Sequence, residues 1–230
     1  LSLHDALPIL FKYLKPFTAL ILIAVVLLFV QANADLALPD YMSRIVNVGI
    51  QQGGVENAVP QALRQTTLER LALFLAPEEL EQVRAAYTLV EADSPDYPQT
   101  VAQYPALANE PILVRAAVDS ATTEALNPIL GKAFVALATL EQMQADPAAA
   151  AAMGAGLGFD LTKLPPGMDL FTLLANLPAA QRAQMSTSIN ERFSALGESM
   201  INQMAVRAVS AEYTALGMDT GDLQMDFIMR

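Results

Sequence analysis

The chain has no cysteine and no tryptophan, and its one histidine is His4. Without cysteine there are no disulfides, no thiolate-held zinc and no thiol nucleophile. A single histidine excludes a multi-histidine metal centre, and because His4 is given no function no histidine-based triad is expected. That residue lies in LSLHDALPI, which joins poorly onto the FKYLKPF that follows and is given no function. Aromatics make up only 7%, so a water-soluble core must lean on Leu, Ile, Val and Met. Basic residues are scarce: 13 Lys and Arg stand against 24 Asp and Glu, a net charge of −11. A nucleic-acid partner calls for a basic patch and is therefore not expected.

What the chain does have is apolar residues, 53% of the total, much of that alanine. One stretch stands apart. Phe17 to Val30, FTALILIAVVLLFV, carries no charge and follows two lysines, Lys12 and Lys15. Two readings compete for it. Taken strictly it is too short for a hydrocarbon core of ~30 Å and has the length of a signal-peptide apolar region. Ala32-Asn33-Ala34 then supplies a small-x-small cleavage site. Extended to Leu38, however, the stretch is long enough to span, with only Thr18, Gln31, Asn33 and Asp35 polar. Gln31, Asp35, Pro39 and Met42 recur at helical spacing, and polar groups at membrane depth usually face other helices or a watery path.

FKYLKPF, the apolar run and LALPDYMSRIVNVGIQQGG together resemble the start of the transmembrane domain of a bacterial ABC-type exporter. In that family an interfacial elbow helix precedes the first span. The outer part of that span carries a Pro and then an Arg-Ile-Ile-Asp-like group, here Pro39 and Arg44-Ile45-Val46-Asn47, with Asn in place of the acid. SINERFSALGESMINQMAVRAVSAEYTALGMDTGDLQMDFIMR is similar to a segment before the second span of a subgroup with a large extracellular insertion between spans one and two. The resemblance implies an ATP-driven exporter of lipophilic compounds or peptides, multi-pass in the cell membrane and paired with a homologous second half-transporter as a heterodimer. ATP and Mg²⁺ would belong to a nucleotide-binding domain absent from this chain, which has no Walker A loop, holds no cofactor and should have no activity alone. It also implies that Gln31, Asn33, Asp35, Pro39 and Arg44 face the translocation path or neighbouring helices. Lys12 and Lys15 anchor the membrane surface.

Between the two ends, periodicity suggests helix and loop. Pro60 to Leu75 reads as a helix with Leu63, Leu68, Leu71 and Leu75 inward. PEELEQVRAAYTLV reads as another, its Pro77 and the acids that follow suited to a first turn. Glu91 to Pro111, with four prolines, reads as a loop in which Asp93 and Asp96 lack the calcium-loop pattern. Pro128 to Gln144 reads as a helix, Ala148 to Ala152 is low-complexity alanine, and the glycines of Met153 to Asp160 make a flexible turn. Pro178 to Leu216 reads as one long helix with Met185, Ile189, Phe193, Leu196, Met200 and Met204 inward, with Gly197 as a point of bending and Gly217 as the stop.

The expected fold is all-α: tail and elbow over 1–16, span and extension over 17–50, a mainly helical extracellular domain with irregular loops over 51–217, and an approach to a second span over 218–230. Lysines before the span and a single Arg44 soon after it place the N-terminus in the cytoplasm and residues from about 51 outside. The rival expectation is a secreted or single-span-anchored helical binding protein, with residues 1–34 as signal or anchor.

Overall fold

The computed structural model describes residues 15–145, 170–178, 181, 187 and 197–229, and the backbone alone of Thr220, Asp222 and Asp226. Lys12, most of the expected elbow, the alanine tract, the glycine turn and Met185, Ile189, Phe193 and Leu196 lie outside these residues. The chain divides into two compact units, Leu1–Asn47 and Val48–Arg230.

In the first unit a 3₁₀ turn, Lys15–Phe17, opens into α1, Thr18–Arg44. Thr18 Oγ1 donates to the Lys15 carbonyl at 2.7 Å and ties the two together. No residue of α1 is buried. Its large apolar side chains stand exposed on every side, Phe29 by 70% and Leu36 by 77%. A helix that is apolar all round needs protein or lipid to cover it. At ~1.5 Å per residue α1 is about 40 Å long, more than a hydrocarbon core requires. A π-helical segment, Ile45–Gln51, continues it. Lys15–Gln51 is long and apolar enough to cross a membrane, the one such helix among the described residues.

The second unit is mostly helical, as expected, but it also contains a small sheet. Its elements run β1 (Ala62–Arg64), α2 (Gln65–Leu71), α3 (Pro77–Ala85), β2 (Tyr87–Val90), α4 (Tyr97–Gln103), β3 (Ile112–Arg115), α5 (Ser120–Ala145), α6 (Leu170–Ala175), α7 (Glu198–Ala215) and α8 (Thr220–Met229). The strand order is β1–β3–β2, both pairs antiparallel, with Leu113 opposite Leu63 on one side and Leu89 on the other. The centre is α5. Ala133 to Leu137 are all buried, so every side of that helix is covered. It packs against α2, α3 and α7. Ile201, Ala205, Val206, Val209, Tyr213 and Leu216 form the inward face of α7.

Several expectations change. Pro60 to Leu75 is not one helix. Leu63 sits in β1 and only Gln65–Leu71 is helical, although Leu63, Leu68, Leu71 and Leu75 are all buried as expected. The PEELEQVRA segment is helical, with the Glu79 carboxylate accepting the Ala76 N–H at 2.8 Å, but YTLV is strand. Its β-branched and aromatic residues pair with β3, and pairing outweighs helical continuation. Glu91 to Pro111 is no plain loop: Pro98 occupies the first turn of α4 and Pro105 opens a 3₁₀ turn, positions where a missing N–H costs nothing. The α5 helix begins at Ser120, eight residues before Pro128, because Asp119 caps it. Its Oδ1 accepts the Thr122 N–H at 2.8 Å, and the hydrogen bonds from Thr122 hold that carboxyl below its ordinary range.

The long C-terminal helix is interrupted. Gly197 has φ +78°, and α7 starts after it. Met200 and Met204 face outward, 51% and 40% exposed, because β1 and α5 take the alanine and valine side of the helix. The stop at Gly217 is as expected. With φ +77° it receives a Schellman pair, Met218 N to Tyr213 O at 3.0 Å and Gly217 N to Thr214 O at 3.1 Å.

Candidate functional site

The residues singled out on the apolar helix are all on α1, and all are exposed. Gln31, Asp35 and Pro39 follow one another at four-residue steps and share a face. Asn33 lies about 200° round the helix from Gln31, and Arg44 falls near Asn33, at ~100° per residue. The five therefore form two groups on opposite faces. Asn33 is occupied locally: its Nδ2 donates to the Phe29 carbonyl at 2.7 Å. Pro39 has no N–H for the Asp35 carbonyl one turn back, yet α1 continues past it to Arg44. Lys15 stands exposed at the start of the helix.

The most organised polar construction lies elsewhere, around the segment Ala58–Arg64 that leads into β1. Side chains from distant elements hold its backbone at successive positions. Asn127 Oδ1 accepts the Ala58 N–H at 2.8 Å. Arg115 Nη1 donates to the Val59 carbonyl at 3.0 Å, and the Tyr87 hydroxyl donates to the Pro60 carbonyl at 2.8 Å. The Gln61 N–H donates to the Tyr213 hydroxyl at 2.8 Å, and the Arg64 N–H to Glu212 Oε1 at 2.8 Å. A buried backbone must find partners, and here β2, β3 and α5 each supply one and α7 supplies two.

Glu212 anchors this clamp. It is 5% exposed, on the apolar face of α7. Besides the Arg64 N–H, its Oε1 accepts Arg64 Nε at 3.1 Å, while Oε2 accepts Arg64 Nη2 at 2.8 Å and the Thr67 hydroxyl at 2.9 Å. Every lone pair with a stake in burial is used, which is the condition for a buried carboxylate to be tolerated. The Glu212 hydrogen bond raises the Arg64 pKa. Glu110, 3.8 Å from Arg64 Nη1, adds a second carboxylate at the exposed side and accepts the Thr66 hydroxyl at 2.7 Å. Burial pushes the Tyr213 phenol up to about 12 and the Tyr87 phenol higher still, so both stay protonated.

Sequence reading passed over these residues. One signal was present: an acid, Glu212, three and seven residues from Val209 and Ala205 on an otherwise apolar stripe, which is the pattern of a paired buried charge. No group of three or more His, Asp or Glu suited to a metal ion occurs among the described residues. Comparison with family models, curated proteins and solved structures returned no match.

Two glycines bring the beginning and end of the second unit together. A Cβ on Gly54 would fall 2.6 Å from the Leu223 carbonyl oxygen, and one on Gly49 would fall 3.3 Å from both Phe227 and Ile228. As residue numbers fall from 54 to 49, their partners on α8 rise from 223 to 228. The incoming turn and α8 thus run antiparallel, side by side.

Proposed function

We propose that the chain comprises the first membrane span and the extracellular insertion of an ATP-driven ABC-type exporter that moves lipophilic compounds or peptides outward. The observation that carries this reading is the antiparallel pairing of Gly49 and Gly54 with α8. A domain inserted between two consecutive spans must begin and finish at neighbouring points, and adjacent termini are what permit such insertions. The uncovered apolar surface of α1 and the resemblance of both ends to that family support the same reading. The Ala58–Arg64 clamp gives the insertion a stiff root just after the span. On this reading Gln31, Asp35 and Pro39 line one side of the first span, and Asn33 and Arg44 meet different neighbours from theirs.

The secreted alternative needs cleavage after Ala34. That site lies inside α1, ten residues before its last residue, Arg44, and the unbroken helix favours retention of the span. Because the chain lacks cysteine, single cysteines report topology cleanly. In intact cells, Asp93→Cys should react with a membrane-impermeant maleimide and Lys12→Cys only after lysis. The reverse pattern, or a mature N-terminus at Asp35 by mass spectrometry, sinks the span reading. Disruption of the gene should abolish energised efflux of a lipophilic dye; undiminished efflux of every dye and peptide tried removes the exporter assignment while leaving the topology standing.

A further inference from the structure

A cavity of about 120 Å³ opens beside the clamp, lined by Val55, Asn57, Gln61, Arg115, Tyr213 and Phe227 among others. Its walls hold donors that lack acceptors. Arg115 is half-buried, gives one N–H to the Val59 carbonyl, and makes no ion pair among the described residues. A guanidinium has five N–H donors, so most of its fork is left for another partner. Tyr213 is 4% exposed. Its oxygen accepts the Gln61 N–H, but its own proton finds no acceptor among the described residues. Burial keeps that proton on the phenol at any physiological pH. Asn57 Oδ1 is engaged by the Val59 N–H at 3.0 Å, which leaves its amide Nδ2 as a further donor. A half-buried cation among uncommitted donors is costly unless an anion completes the set.

The geometry points to a binding site for a small organic monocarboxylate with a short apolar tail, its carboxylate on Arg115 and Tyr213. The fork of Arg115 matches a planar carboxylate in two parallel hydrogen bonds. Val55, Leu223 and Phe227 supply apolar wall for the tail. One water needs roughly 10–15 Å³ on the same measure, so there is room for a molecule of several heavy atoms and not for a long chain. A phosphate would set its remaining oxygens against that apolar wall, where they find no donor, and this selects against it. The walls come from the incoming segment, β3, α7 and α8, so an occupant ties both ends of the unit together. This site rests on the cavity alone and not on the exporter reading, and a secreted form would bind equally.

The test is calorimetric titration of the full chain in nanodiscs with sodium butyrate. The controls are sodium chloride, sodium phosphate and n-butylammonium chloride at matched ionic strength. Butyrate should bind saturably with one site, acetate more weakly, and the three controls not at all. Arg115→Gln should lower butyrate affinity by at least about tenfold, the loss expected when a charge-assisted pair is replaced by a neutral one. Tyr213→Phe, which keeps the ring and removes the hydroxyl donor, should also weaken butyrate, and it stands as the measure if Arg115→Gln fails to fold. No saturable butyrate binding, equal binding of butylammonium, or affinity unchanged in a folded Arg115→Gln or in Tyr213→Phe overturns the proposal.

Discussion

Glu212 on α7 and Arg64 at the end of β1 are 148 residues apart in sequence, yet they meet in two parallel hydrogen bonds of 2.8 and 3.1 Å. The pair fastens the C-terminal helix to the first strand of the second unit. Removing the carboxylate leaves Arg64, Thr67 and one backbone N–H without their acceptor. Glu212→Ala should therefore destabilise the unit by about 3 kcal/mol, the low end for a broken buried pair because Arg64 is partly in water. The urea midpoint measures it; a change within error of wild type would mean that water replaces the carboxylate at no cost.

Gly53 and Gly54 both have positive φ, +62° and +83°, but their surroundings differ. A Cβ on Gly53 meets nothing within 4 Å, whereas one on Gly54 collides with α8 backbone. Gly53→Ala should cost about 1 kcal/mol, the conformational penalty alone. Gly54→Ala should cost more and should also raise amide exchange throughout Thr220–Met229, because α8 must move away. Equal exchange in the two variants would show that α8 does not depend on this contact.

Gly131 lies buried in α5, where a Cβ would rest 3.6 Å from Ala58 and Ile201, ordinary contact distance. Nothing there demands glycine. Gly131→Ala should stabilise by up to about 1 kcal/mol, the helix-propensity difference, read as a higher thermal midpoint. A lower midpoint would reveal a packing constraint tighter than these distances imply.

Alkaline pH should unfold the second unit. The phenols of Tyr87, Tyr104 and Tyr213 are raised from their ordinary 10.0, each chiefly by burial, that of Tyr213 to about 12. The folded state therefore holds protons that the unfolded chain has lost. Stability from these groups is fully present below pH 10 and is lost as pH rises towards 12. Tyr87 and Tyr213 each remove about 1.4 kcal/mol per pH unit across that window, and Tyr104 acts in the same direction. Phenolate absorbance should appear together with loss of helix, and Tyr213→Phe should flatten the profile. Phenolate forming well before unfolding would contradict the buried positions.

The sequence alone determined the apolar helix, its flanking lysines, the predominance of helix, and the glycine stop at Gly217. Each is written in a local run of residues: uninterrupted side-chain hydrophobicity, or a backbone angle that one residue type tolerates best. The inward set Leu63, Leu68, Leu71 and Leu75 was legible too, although its secondary structure was not. Tertiary structure decided the rest. YTLV becomes a strand because β3 offers pairing, and two of the prolines of 91–111, Pro98 and Pro105, turn out to start helices. Met200 and Met204 face outward because smaller side chains on the other side of α7 fit the close approach to α5. The clamp and the cavity depend on partners from Tyr87 to Tyr213 converging on Ala58–Arg64. No local pattern encodes that, because hydrogen-bond satisfaction of a buried segment is settled only when distant elements close around it.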